Sequence, residues 1–159
     1  MKYKQIEFNT DRYFVGLKYP SLLSSQRLDE VDLPSFWITF SEQFMNRHVS
    51  HLVQKEEAIG YMKRTLNSNY EYTAACEVTE FGETSGFEKI VIPKGPYLSF
   101  EISFRHKDRD IRSVYDFVRN ESHSEINADL SYCLEYYPES FNHEDEHTSL
   151  YFMVPLKEN

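Results

Sequence analysis

One acid stands inside a run of aromatic and apolar residues near the C-terminus. Leu130-Ser131-Tyr132-Cys133-Leu134-Glu135-Tyr136-Tyr137-Pro138 has the composition of a β-strand and is closed by a proline. Strand side chains alternate, so Cys133, Glu135 and Tyr137 share one face and Tyr132, Leu134 and Tyr136 the other. The second set suits packing under a helix. The first places a carboxylate between a thiol and a phenol. If that face lines a cavity, Glu135 must be paired, protonated or matched by a cation, because a lone charge out of water is costly. If the strand is half exposed, Glu135 points into solvent. On this stretch alone the solvated reading is the simpler one.

Other candidate chemistry is weaker. His143-Glu144-Asp145-Glu146-His147 has the letters of a zinc-protease motif. That mechanism needs an apolar helix holding both histidines on one face. Here the flanks are polar and acidic, so a solvated loop is expected. His48 and His51 have a spacing that could offer two metal ligands, but no third ligand lies beside them. Solvated residues at a helix end account for them. Cys76 and Cys133 lie on expected strands without a nearby histidine, which gives no thiol nucleophile. There is no glycine-rich phosphate loop and no nucleophile elbow. No metal or other cofactor is expected.

The totals narrow the partners. The formal net charge is −9, with no basic run, which argues against direct nucleic-acid binding. The apolar stretches are far short of a membrane span. The N-terminus carries no apolar signal region, so a cytoplasmic location is expected, with both cysteines as buried thiols. Twelve Tyr, twelve Phe and one Trp make up 16% of the chain. Such an aromatic share favours strands and also suits the lining of a binding cavity.

The elements that must position these residues follow from periodicity. Strands are expected over 3–8, 13–19, 58–66, 70–78, 87–92, 97–104, 130–138 and 148–156. Residues 20–30 read as a polar loop, and Asn67-Ser68-Asn69 as a turn. Asp32 can cap a helix that carries Leu33, Phe36, Trp37, Phe40 and Phe44 on one face and runs to about Val53. Asp108 can cap a second helix with Ile111, Val114, Tyr115 and Val118 inward, fading by Asn120. Polar loops are expected at 122–129 and 139–147. Each half then carries one helix between strand groups. The fold class is α+β, with two pseudo-symmetric strand-helix-strand units sharing an antiparallel sheet in a single domain over 1–159.

Several segments line up in order. They are Trp37 with Phe40, Tyr70-Glu71-Tyr72, Glu77-Val78, Ile92-Pro93-Lys94-Gly95-Pro96-Tyr97-Leu98-Ser99-Phe100, Leu134-Glu135-Tyr136-Tyr137, and Phe152-Met153-Val154-Pro155-Leu156. This pattern resembles the GyrI-like small-molecule-binding superfamily, which includes effector-binding domains of AraC-type and MerR-type regulators and stand-alone gyrase-inhibitory proteins. The resemblance implies a concave antiparallel sheet with two main helices. It also implies an aromatic pocket whose central acid is Glu135. Tyr72, Tyr97 and Tyr137 lie on strand faces that can supply walls, and Trp37 can close one side or serve the helix-to-sheet core. The chain departs from the family in having no DNA-binding segment. It also lacks the usual glycine after the Tyr-x-x-Phe strand, since Glu101-Ile102-Ser103-Phe104 runs on to Arg105.

Three functions are compatible with these residues. The first is binding of a small, lipophilic or cationic ligand in sensing, sequestration or transcription-related regulation. The second is hydrolysis of reactive electrophiles, with Glu135 as base and Tyr72 or Tyr137 orienting the substrate. The third is inhibition of a protein partner, with the acidic charge steering toward a basic surface.

Overall fold

The computed structural model describes residues 1–24, 31–53, 55–66, 69–120, 123 and 125–157. Part of the expected loop 20–30, the turn positions 67–68, and positions 122 and 124 of a further loop lie outside them.

Among the described residues nine strands form one antiparallel sheet: β1 (Tyr3–Phe8), β2 (Arg12–Lys18), β3 (Leu23–Ser24), β4 (Ala58–Arg64), β5 (Asn69–Val78), β6 (Glu88–Ile92), β7 (Gly95–Ser103), β8 (Tyr132–Tyr137) and β9 (Ser149–Pro155). Helix α1 (Leu33–Asn46) follows β3, and α2 (Lys107–Arg119) follows β7. The sheet order is β1-β7-β9-β8-β4-β5-β2-β6, with β3 added beside β5. The order is symmetric about the β8–β4 pair. On either side a hairpin comes first, then a strand that precedes the helix in the chain, then an edge strand. The two expected units are therefore present, and they meet at β4 and β8.

The sheet cannot be flat. β1 and β2 stand six places apart in the order, about 29 Å in a flat sheet. Only Asn9, Thr10 and Asp11 join them, a link that spans about 13 Å when extended. The sheet therefore curls until its two ends meet. The Arg12 guanidinium lies 5.1 Å from the Phe8 ring and 5.9 Å from that of Tyr136. Arg12 also donates two hydrogen bonds to Glu77, at 2.7 and 2.8 Å. Residues from both ends share one buried cluster on this face, including Phe14, Ile59, Ile92, Tyr97, Leu134 and Met153.

The helices cover the other face. Phe36 and Phe40 of α1 and Val114 and Val118 of α2 pack there with Tyr72, Phe100, Cys133 and Phe152. This reverses one expectation. The Cys133, Glu135 and Tyr137 face of β8 lies under the helices, and the Tyr132, Leu134 and Tyr136 face lines the closed side of the curl. Both faces are covered, so an aromatic-rich side does not by itself mark the one that meets a helix.

Helix α1 starts as expected. Asp32 accepts from the Ser35 N–H at 3.1 Å, and Pro34 lies in the first turn. The helix ends at Asn46, seven residues short of Val53, because Arg47 is extended. The backbone beyond turns toward the β5–β6 connection. Ser50 N–H donates to Glu83, and the carbonyl of His51, at φ 61°, accepts from Thr79 N–H. Helix α2 begins at Lys107 with His106 as its N-cap, so Asp108 sits in the first turn and is not the cap. Asp110 accepts from the Ser103 N–H at 3.0 Å and holds the β7–α2 corner. Residues 23–24 of the expected polar loop instead form β3, with Leu23 buried against β5.

Candidate functional site

Register determines what surrounds Glu135. Across the sheet it lies opposite Gly60 on β4 and Phe152 on β9. Directly paired residues share a face, so Gly60, Phe152 and Ala74 (opposite Gly60 on β5) stand on the side that the helices cover. Tyr72, two residues before Ala74, is on that face as well. A Cβ at Gly60 would overlap the Tyr72 hydroxyl and lie 2.5 Å from Glu135 Oε1. The missing side chain makes the space in which the two groups meet.

The carboxylate is 2% exposed and every oxygen is engaged. Tyr72 O–H donates to Oε1 at 2.5 Å, and Tyr137 O–H donates to the same oxygen at 3.1 Å. Lys107 Nζ lies 2.9 Å from Oε2. Trp37 Nε1–H donates to the Tyr72 oxygen at 2.9 Å, forming a chain from indole to phenol to carboxylate. The Trp37 ring packs edge-on to Tyr137 at 5.3 Å, and Phe36 to Tyr72 at 6.4 Å. Thus α1 contributes Trp37, α2 contributes Lys107, and the sheet contributes the acid and both phenols. No buried side-chain polar atom among the described residues lacks a partner. Three donors on one buried acid meet the condition under which such a charge is tolerated.

Both phenols are held in the protonated, donating form. Burial pushes the Tyr72 and Tyr137 hydroxyls well above the ordinary tyrosine value, and the negative charge of Glu135 adds to it. Tyr70 is raised for the same two reasons, burial first.

Of the residues expected from the sequence, Glu135, Tyr72, Tyr137 and Trp37 come together. Tyr97 does not. Phe100 pairs with Phe152 and so shares the Glu135 face, and Tyr97, three residues earlier, points to the opposite one. Its hydroxyl donates to the Pro93 carbonyl at 2.7 Å and lies 2.8 Å from that of Tyr132. Lys107 and Gly60 were not foreseen. Each left a signal: a glycine inside a strand pattern, and a lysine at a helix start, where the dipole disfavours a cation. The HExxH segment lies in the turns between β8 and β9, with His143 and His147 exposed. A groove of about 420 Å³ opens between the start of α1 and the end of β2, lined by Leu17, Tyr19, Pro20, Phe36 and Gln43 among others. Glu135 is not part of it. Among the described residues no helix is long and apolar enough to cross a membrane.

The model of Cass2, the integron-associated effector binding protein family, matches residues 10–154. The chain belongs to this family. Solved structures share the fold at low identity. SAV2435 bound to tetraphenylphosphonium is similar with a TM-score of 0.75 and 15% identity, covering 99% of this chain and 94% of that one. A putative transcription regulation protein from Staphylococcus aureus MU50 follows at 0.71 and 13%, covering 99% of both. The integron cassette protein VCH_CASS2 from the mobile metagenome of Vibrio cholerae has a TM-score of 0.60 and 13% identity, covering 98% and 95%. No curated protein is similar enough in sequence to count as a match.

Proposed function

We propose that the chain is an effector-binding protein of the GyrI-like type, which takes up a lipophilic monocation at Glu135. The observation that carries this reading is a carboxyl group sealed among Tyr72, Tyr137 and Trp37 at the seam of the two units. Such a site rewards a ligand that brings a positive charge without a tight water shell. The carboxylate supplies charge pairing and the rings supply ring-face contact. Family membership and the tetraphenylphosphonium held by SAV2435 support the same ligand class. The role in the cell is sensing or sequestration that feeds regulation.

Hydrolysis is less well supported. A general base needs an oxygen aimed at water, and here each oxygen of Glu135 already has a partner.

Trp37 is the only tryptophan and touches the site, so its fluorescence reports binding. Titration with tetraphenylphosphonium should change this emission saturably. Glu135→Gln should keep the fold and weaken binding by about 1–3 kcal/mol, as expected for loss of a charge-assisted contact. Equal affinity of the two proteins across a panel of aromatic cations would refute the reading.

A further inference from the structure

Lys107 is the residue that the binding model leaves over. It is the first residue of α2, where the helix dipole disfavours a cation and where Asp108 and Asp110 are the favoured types. Its N-cap, His106, makes no side-chain cap. Nevertheless its side chain is only 15% exposed and runs inward to Glu135 Oε2 at 2.9 Å. The attraction of the buried acid is therefore what seats it. Among the described residues the ammonium is also the only partner on that oxygen, whereas Oε1 has two phenols. The phenols are fixed on strands at the centre of the sheet. The lysine hangs on a flexible four-carbon stem at the start of a helix, with solvent within reach.

We infer that Lys107 occupies the cation subsite of the ligand-free protein and leaves it when a cationic ligand binds. This rests on the reading of Glu135 as a ligand anchor and says how that anchor is kept satisfied when empty. The ligand's charge replaces the ammonium on Oε2, and Lys107 moves out to water. The site stays neutral in both states, so neither state buries a bare carboxylate. It also follows that the ligand must be a cation. A neutral molecule offers nothing to Oε2, and an anion would need Lys107 to stay and Glu135 to tolerate it. Lys107 thus sets a threshold: only a cation that wins more from the aromatic walls than the lysine wins from its salt bridge displaces it. If the seated form dominates by roughly ten to one, affinity is lowered by about tenfold relative to a site without the lysine.

The test uses the full chain and three probes. Tetraphenylphosphonium is titrated into the wild type, Lys107→Met and Glu135→Gln. Tetraphenylborate, the same shape with opposite charge, is titrated into the first two. Acylation of each lysine in the wild type is mapped by mass spectrometry with and without tetraphenylphosphonium. The expected results are about tenfold tighter binding of the phosphonium by Lys107→Met, no binding of the borate, and severalfold faster acylation of Lys107 when the phosphonium is bound. Unchanged or weaker binding by Lys107→Met overturns the inference, as does borate binding that the variant abolishes. If Lys107→Met does not fold, the acylation map decides, and protection of Lys107 by the ligand overturns the inference. Loss of binding in Glu135→Gln with no change at Lys107 overturns the inference and leaves the anchor reading standing. Failure of wild type and Lys107→Met alike to bind the phosphonium overturns both.

Discussion

Gly60 lies directly opposite Glu135 on the β4–β8 ladder, and the site exists because residue 60 has no side chain. Any Cβ there would push into both the Tyr72 hydroxyl and Glu135 Oε1. Gly60→Ala should destabilise the protein by about 1–3 kcal/mol, the usual cost of overpacking. It should also weaken tetraphenylphosphonium binding at least as much as Glu135→Gln does. Urea denaturation and the fluorescence titration check the two effects. A variant with wild-type stability and affinity would show that the carboxylate and phenol do not meet at residue 60.

Trp37→Phe removes one hydrogen bond and keeps a ring near Tyr137 and Phe40. The Tyr72 oxygen then loses its donor inside a dry site. A loss of about 1 kcal/mol in stability is expected, or up to 3 if the oxygen stays unsatisfied. Circular dichroism must follow this unfolding, because the variant has no tryptophan. No change in the urea midpoint would mean that the indole N–H contributes nothing there.

Arg12 closes the curl. It holds Glu77 with two hydrogen bonds, has Glu57 at 3.8 Å, and lies among the rings of Phe8, Phe14 and Tyr136. Tyr136 in turn donates to Glu57. Arg12→Met should cost about 2–3 kcal/mol, since two half-buried acids would face each other without their cation. Ligand affinity should change little, because this seam is on the sheet face away from Glu135. A variant that keeps its stability but loses binding would contradict the separation of the two faces.

Alkaline pH should weaken the fold. Burial pushes the Cys133 and Cys76 thiols up to about 11, from an ordinary value near 9. Between those values the unfolded chain has released these protons and the folded chain has not. The unfolded state then binds fewer protons, so stability falls as pH rises. The stabilisation is complete below pH 9 and lost by about pH 11, on the order of 2–3 kcal/mol per thiol. The raised hydroxyls of Tyr72 and Tyr137 act in the same direction above pH 10. Urea midpoints measured from pH 8 to 11 check this, and a flat profile would contradict the burial of the thiols.

Much of this architecture was legible in the chain, and the reasons are local. Period-two alternation marked β1, β5, β7, β8 and β9, and a capping aspartate with a following proline marked the start of α1. β3 was missed because two residues carry no period. The end of α1 was misplaced because residues 47–53 hold no proline or glycine to stop a helix, while Arg47 is extended and the backbone after it serves the β5–β6 connection. Glu135 stood out as an acid among rings, and the family pattern around it pointed to Tyr72, Tyr137 and Trp37. Tyr97 was misplaced and Lys107 passed over for one reason. Which face a strand residue takes, and what a helix start touches, depend on pairings between segments far apart in sequence.

The position of a bound cation tests the central claim most directly. Tetraphenylarsonium has the shape and charge of the phosphonium, and its arsenic can be located by anomalous diffraction from a crystal of the complex. The account predicts an arsenic peak in the Glu135 site within about 6 Å of the Tyr72 or Tyr137 ring, with Lys107 turned away from the carboxylate. An arsenic peak in the groove beside Tyr19 and Phe36, with Lys107 still on Glu135, would contradict it.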